Sequence, residues 1–169
     1  GSGFFHENSE IVNLEPRIIS KYFINENLSA ALIFNRRMQY LHLIANQSIQ
    51  MPNDLWLPSS EDIKPQELYE SELSIQYSAN ARLKLILSGY YRQINHVYSY
   101  PGSFEFLQTT DDYSDYDFLE EGTATNKGLE FLLDYADKKR GVLFTYVLSK
   151  SERQFDSINL GVPFAADFD

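Results

Sequence analysis

Cysteine is absent from this chain of 169 residues, which excludes a disulfide scaffold, a thiolate metal site and a cysteine nucleophile. Basic residues are scarce, 14 against 24 acidic ones. The net charge of −10 argues against a nucleic-acid binder, because such binding depends on cationic contacts to phosphate. No apolar run approaches the ~18 residues that a transmembrane helix needs. Membrane-crossing β-strands stay compatible with the sequence, since their alternating pattern is only mildly hydrophobic.

Motifs that accompany enzyme chemistry are also missing, including G-x-S-x-G, a phosphate loop and H-E-x-x-H. The three histidines, His6, His42 and His96, lie too far apart to show metal-ligand spacing. We therefore predict no enzyme activity, no catalytic residue, no metal site and no cofactor. Carboxylates on polar strand faces are expected to pair with cations on neighbouring strands instead. The acids are Glu70, Glu72 and Glu130, and the candidate cations are Arg17, Lys21, Lys84 and Arg92.

Aromatic residues are abundant, with 12 Tyr, 12 Phe and 1 Trp, and this usage favours β-structure. The rest of the chain is organised around the stretch 141–156, and the cleanest alternation is that of the strand 68–79. The stretch 141–156 also reads as a strand. Every second residue from Val142 to Leu148 is apolar or aromatic, and the opposite face becomes polar toward Arg153. Such alternation is typical of a half-buried strand in a soluble sandwich, and equally of a membrane strand with one face toward lipid.

Five further segments alternate in the same way. The connections between consecutive segments are alternately short turns and long loops. The predicted strands are 11–24, 28–40, 68–79, 83–98, 125–136 and the stretch from 141, and the long loops are 41–67, 98–123 and 150–169. Strands of ~11–14 residues exceed the ~5–6 usual in globular sheets. Short turns at one end and long loops at the other are typical of outer-membrane barrels. Pro16 predicts a bulge or an edge in the first strand.

The predicted fold class is all-β, an antiparallel meander of about six long strands (three hairpins) that is part of a larger transmembrane β-barrel. The rival interpretation is a soluble β-sandwich or small barrel that acts as a ligand- or partner-binding module. Residues 1–10 are expected to be an irregular lead-in, because Gly1-Ser2-Gly3 is typical of a cloning remnant. Residues 11–169 are then the partial barrel wall with its external loops.

An acidic segment, 105–121, combines clustered carboxylates with aromatic rings and contains no Lys or Arg. Its spacing does not fit an EF-hand loop. A solvated loop surface explains the charges, and direct ligand contact is the alternative, since aromatic rings can stack on a guest molecule.

Several segments together resemble TonB-dependent outer-membrane receptors of the Bacteroides-type branch. Residues 14–18 read LEPRI, which is similar to the family's "LEPR" strand. Residues 39–44 and 54–58 read QYLHLI and DLWLP, similar to the family's "QYLHLL…DLWLP" loop. Residues 63–66 match "IKPQ", and residues 126–130 resemble its "G-x-E" strand start. Residues 148–156 and 161–169 resemble "LSKSERQFD…GKPFPARYD".

The resemblance implies a fragment of a receptor that imports a scarce nutrient (a siderophore, cobalamin, an oligosaccharide or a peptide) across the outer membrane of a Gram-negative cell. The family's barrel has roughly 22 strands. The implied partners are the remaining barrel strands and plug domain, TonB through the missing N-terminal part, the nutrient and outer-membrane lipid, but no nucleic acid. The loop residues expected to contact ligand are Trp56, Tyr113, Asp115, Tyr116 and Arg153.

Overall fold

The computed structural model describes residues 13–44, 55–60, 62–99 and 119–166. Their regular structure is β-strand throughout, apart from one 3-10 turn at Ile158–Gly161, so the predicted all-β class is confirmed. The strands are β1 (Arg17–Phe23), β2 (Leu28–Gln39), β3 (Leu41–Ile44), β4 (Leu55–Pro58), β5 (Gln66–Asn80), β6 (Leu83–Ser99), β7 (Glu120–Ala136), β8 (Gly141–Phe155) and β9 (Phe164–Ala165).

Seven strands form one antiparallel sheet in the order β1-β2-β5-β6-β7-β8-β9, and β3 and β4 form a separate hairpin. Consecutive strands of the sheet are therefore neighbours, as the meander prediction requires. The sheet is open and not a closed barrel. Its edges in the described chain are β1 and β9, and β9 pairs only with Glu152 and Arg153 of β8. Most of the outer side of β8 consequently has no strand partner within the described residues.

Three short turns close the long hairpins. In each turn, a side-chain oxygen accepts hydrogen bonds from the backbone amides two and three residues further along the chain. The Asp137 carboxylate accepts from the amides of Lys139 and Arg140 at 2.7 and 2.8 Å. Asn25 and Asn80 act in the same way at the other two turns. Such Asx turns satisfy amides that a tight reversal leaves without strand partners. The two amides lower the pKa of the Asp137 carboxyl.

The predicted strand limits need correction at the loop ends. The first strand begins only after Pro16, whose carbonyl accepts from the Arg36 amide at 3.0 Å, and β1 lies at an edge of the sheet. The predicted loop 41–67 contains the β3–β4 hairpin, because alternating apolar residues there can pair. β8 continues into the predicted loop 150–169 as far as Phe155, and β9 follows. Of the loop 98–123, only its ends lie within the described residues, in β6 and β7.

Strand register divides the main sheet into two unlike faces. The apolar face presents mainly aliphatic and aromatic side chains; it includes Leu28, Ala30, Leu32, Phe34, Leu73, Ile75, Tyr77, Leu83, Leu85, Leu87, Gly89, Tyr91, Leu129, Phe131, Leu133, Tyr135, Val142, Phe144, Tyr146 and Leu148. The polar face carries most of the sheet's hydrogen-bonding side chains; it includes Ser29, Asn35, Glu70, Glu72, Ser74, Ser88, Tyr90, Arg92, Asn126, Glu130, Thr145, Ser149 and Ser151.

Buried apolar side chains form two small clusters at the loop end, the end that carries the β3–β4 hairpin. The first cluster is Ile44, Leu57 and Ile63. The second is Val97, Ala124 and Phe155, with the Phe164 ring stacked on Phe155. No buried apolar cluster lies along the middle of the described sheet. The main sheet is therefore a single layer, with apolar packing concentrated where its long strands end.

Candidate functional site

A row of polar side chains crosses six strands of the polar face at one level. Register places one residue from each strand in this polar row: Arg17, Asn35, Glu70, Arg92, Asn126 and Ser151. Because directly opposed residues of antiparallel strands lie about 4.5–5.5 Å apart, neighbours in the row are within hydrogen-bonding reach. Hydrogen bonds within the polar row join Asn35 to Glu70, Glu70 to Arg92, and Ser151 to Asn126.

Glu70 lies at the centre of the polar row and is only 6 % exposed. Arg92 Nε donates to Glu70 Oε1 at 2.7 Å, and Asn35 Nδ2 donates to Glu70 Oε2 at 3.0 Å. Arg37 Nη2 lies 3.6 Å from the same Oε2 atom. A shielded carboxylate is costly unless charge-assisted hydrogen bonds compensate it, and these contacts supply them. The predicted pairing of Glu70 with Arg92 is confirmed.

Asn35 has one acceptor that the described residues do not satisfy. Its side chain is 4 % exposed, and its Oδ1 atom has no hydrogen-bond partner there, although its Nδ2 atom is bound to Glu70. An unsatisfied buried carbonyl oxygen costs about 1–3 kcal/mol, and this atom is itself shielded from solvent by its surroundings.

Tyr90 extends the polar row toward the centre of the sheet. The Arg92 guanidinium lies 4.3 Å from the centroid of the Tyr90 ring, which is within cation–π range. Tyr90 also covers the backbone of Gly128, its partner on β7. A Cβ atom at Gly128 would lie 2.7 Å from the Tyr90 hydroxyl and 2.8 Å from the Leu148 carbonyl oxygen, so this position accommodates only glycine without displacement. Between β7 and β8 in the polar row, Ser151 Oγ donates to Asn126 Oδ1 at 2.6 Å.

The β3–β4 hairpin packs against the loop end of β6. His42 is buried; its Nε2 lies 3.1 Å from Ser59 Oγ, and its ring meets Tyr98 edge-on at 5.2 Å between centroids. Burial lowers the pKa of the His42 imidazole and raises the pKa of the Tyr98 phenol. The Tyr98 hydroxyl accepts from the Lys64 amide at 2.9 Å. These contacts fix the hairpin over the end of the sheet.

Two of the predicted ligand-contact residues lie within the described chain. Trp56 is on β4, directed away from the buried side of the hairpin, and is 56 % exposed next to its strand partner Leu43. Arg153 is half-buried on the polar face of β8, between Ala124 of β7 and Phe164 of β9. No ion pair joins Arg153 to any described residue. Tyr113, Asp115 and Tyr116 lie outside the described residues.

The unsatisfied Asn35 oxygen and the hairpin are features that the sequence analysis did not identify. The hairpin has a signal in the alternation from Leu41 to Ile44, which the surrounding prolines obscured. The position of Asn35 opposite Glu70 depends on cross-strand register, which no local pattern specifies on its own.

Among the described residues no group of three or more His, Asp or Glu side chains is placed to hold a metal ion. No helix within the described ranges has the length and hydrophobicity needed to span a bilayer. Comparison with known proteins gives no relative: no family model, curated protein or solved structure matches the chain.

Proposed function

We propose that the chain is a section of the wall of an outer-membrane receptor of the TonB-dependent type, which imports a siderophore, cobalamin, an oligosaccharide or a peptide. In this setting the apolar face contacts lipid and the polar face lines the water-filled interior. The loop end carries the β3–β4 hairpin and faces outward to meet the nutrient. TonB, the plug domain and the remaining barrel strands are the partners that this function requires.

The observation that carries the proposal is the exposure of the apolar face. Leu73, Leu129 and Leu148 are 53–59 % exposed although each lies in the interior of a long strand. The apolar face covers five strands and about seven positions along each, so with ~3.3 Å per residue along strands and ~4.8 Å between them it spans roughly 20 Å by 19 Å. An apolar patch of that size is comparable to the largest patch on a typical soluble monomer, and such patches often mark a surface that meets a partner or a membrane.

The length of the apolar segment of β6 agrees with a bilayer. On β6, every second residue from Leu83 to Tyr91 belongs to the apolar face. This stretch of β6 has nine residues, which matches the ~9–11 residues of a tilted membrane-crossing strand. Beyond it, Gln93 and Asn95 occupy the same face, so the apolar character ends before the strand does. A strand that continues past the lipid into water would have this pattern.

The polar face is compatible with the proposal. The Glu70–Arg92 pair and the cation Arg37 beside it need water or polar partners. A barrel lumen supplies water, and so does the solvent outside a two-layer sandwich, so the apolar face is the one that distinguishes the two settings. The receptor type, as distinct from any other barrel, rests on the resemblance of residues 14–18, 39–44, 54–58, 63–66 and 148–156 to the family's motifs.

The rival function, a soluble sandwich or small barrel that binds a ligand or partner, requires a second layer over the apolar face. No described element packs there, and that absence favours the membrane setting for the described strands.

Vesicle insertion tests the membrane part of the proposal. The purified chain is mixed with dimyristoylphosphatidylcholine vesicles, and protection of the strands from protease is measured with and without lipid. We expect strand peptides to be protected only with lipid, while the segment around the exposed Trp56 is cleaved. A monodisperse monomer in plain buffer, with no vesicle binding, would reject the proposal.

A growth assay tests the receptor part. The gene that encodes the full-length protein is deleted, and growth is measured on single limiting nutrients of the four proposed classes. Loss of growth on one class, restored by the wild-type gene and weakened by Trp56→Ala, supports import through this protein. Unchanged growth on all four classes contradicts it.

A further inference from the structure

Gly89 interrupts the apolar face with a depression. Its row on that face runs Leu32, Leu73, Gly89, Leu129 and Leu148, so one missing side chain leaves a gap among four leucines. The depression is open to its surroundings and is lined mainly by apolar atoms. A Cβ atom at Gly89 would meet only the flexible Leu129 side chain, at 3.2 Å, so sterics do not require glycine here as they do at Gly128.

Two lysines border the depression at its loop-side edge. Lys127 of β7 and Lys150 of β8 are direct register partners, and both line the depression. Directly opposed like charges on neighbouring strands are destabilising. Lys150 Nζ lies 2.7 Å from Glu152 Oε1, whereas Lys127 has no ion pair with any described residue. This arrangement leaves an excess positive charge beside an apolar surface in a protein whose net charge is −10.

We propose that the depression at Gly89 holds one membrane lipid whose phosphate headgroup has a net negative charge, with an acyl chain against the leucines and the phosphate against Lys127 and Lys150. The two halves of the site match the two halves of such an amphiphile. Alkyl chains fill apolar gaps through dispersion and burial, and ammonium groups bind phosphate as point charges. Bound phosphate also removes the repulsion between the paired lysines. The inference rests on the membrane setting proposed above.

Native mass spectrometry of the chain in neutral detergent micelles measures this binding, with dimyristoylphosphatidylglycerol and dimyristoylphosphatidylcholine as probes. The two lipids share their acyl chains and differ in net charge. We expect phosphatidylglycerol to bind at least tenfold more tightly than phosphatidylcholine. The double variant Lys127→Gln, Lys150→Gln is expected to lose about thirtyfold of the affinity for phosphatidylglycerol, because each lysine near a lipid surface contributes about 1 kcal/mol.

Two further variants separate the parts of the site. Gly89→Leu fills the depression and is expected to weaken both lipids while the β-sheet circular dichroism stays unchanged. The matched control is Lys84→Gln, Lys138→Gln, which removes two lysines that do not line the depression, and its affinities should equal those of the wild type. Excess inorganic phosphate should not displace phosphatidylglycerol, because the acyl chain supplies part of the binding.

Each contrary result has a definite meaning. Equal binding of the two lipids, equal loss in the control variant, or full displacement by inorganic phosphate overturns the lipid site and leaves the membrane function intact. Failure of the chain to enter micelles or vesicles of any composition overturns both the lipid site and the proposed function.

Discussion

The two faces of the main sheet differ in solvent exposure, and the apolar face is the more exposed of the two. On the apolar face Leu129 and Leu148 are 54 % and 59 % exposed, whereas on the polar face Glu70 and Ser88 are 6 % and 7 % exposed. A soluble sheet that packs on a core shows the opposite relation, with apolar residues covered and charged ones in water. The inversion indicates that the surroundings of the apolar face, rather than a core within the described residues, are what stabilise it.

A lysine introduced into the apolar face should lower the stability more than any other change considered, and a lysine on the polar face is its control. Leu87→Lys puts an ammonium group in the middle of the apolar face, and Ile86→Lys puts it on the polar face of the same strand. In phosphatidylcholine vesicles we expect Leu87→Lys to lower the free energy of unfolding by about 2–4 kcal/mol, because lysine at the bilayer midplane costs that much. Urea unfolding measures it. A loss at Ile86→Lys as large as that at Leu87→Lys would contradict the assignment of the faces.

Removal of Glu70 tests the polar row. Glu70→Ala leaves Asn35 and Arg92 without their shared acceptor, and we expect a loss of about 2–3 kcal/mol in the free energy of unfolding. The control is Glu72→Ala, which removes a carboxylate two positions along the same face that makes no ion pair within the described residues. Equal effects of the two substitutions would show that the connections of Glu70 do not matter.

Alanine substitutions at two glycines, one on each face, compare how tightly the two faces are packed. Gly128→Ala would force a Cβ atom against the Tyr90 hydroxyl and the Leu148 carbonyl, and we expect a loss of about 1–2 kcal/mol. Gly89→Ala meets only the movable Leu129 side chain and removes the entropic penalty of a strand glycine, so stability should stay unchanged or rise by up to about 0.5 kcal/mol. Urea midpoints report both. Similar losses at the two positions would mean that the faces are equally packed.

A moderate fall in pH should affect the β3–β4 hairpin before it affects the two faces of the main sheet. Burial lowers the pKa of His42 below its ordinary value of 6.5, so the unfolded chain takes up the proton first as the pH falls. Stability contributed by neutral His42 is present above about pH 6.5 and decreases as the pH falls through the interval between the unfolded-state and folded-state pKa values. Hydrogen exchange of the Leu57 amide at about pH 7.5 and 5.5 measures this loss, and His42→Gln should abolish the difference. An unchanged pH dependence in His42→Gln would assign the effect to another group.

Much of the strand architecture follows from local sequence. Period-two alternation identifies all six long strands, and the side chains of Asn25, Asn80 and Asp137 mark the turns. The Glu70–Arg92 pair follows from the expectation that acids and bases face each other across strands. Register is the part that the sequence does not supply, because a shift of one residue moves every side chain to the other face. The polar row, the gap at Gly89 and the opposition of Lys127 to Lys150 all depend on register.

Site-directed spin labelling along β7 tests the central claim most directly, and the absence of cysteine makes single-cysteine variants straightforward. Cysteine is introduced at each position from Leu129 to Asp134 and labelled with a nitroxide in phosphatidylcholine vesicles. Collision rates with oxygen, which concentrates in lipid, and with a water-soluble nickel chelate are then measured. We predict that positions 129, 131 and 133 favour oxygen and positions 130, 132 and 134 favour the chelate. Absence of this alternation, or its inversion, would contradict an apolar face that meets lipid.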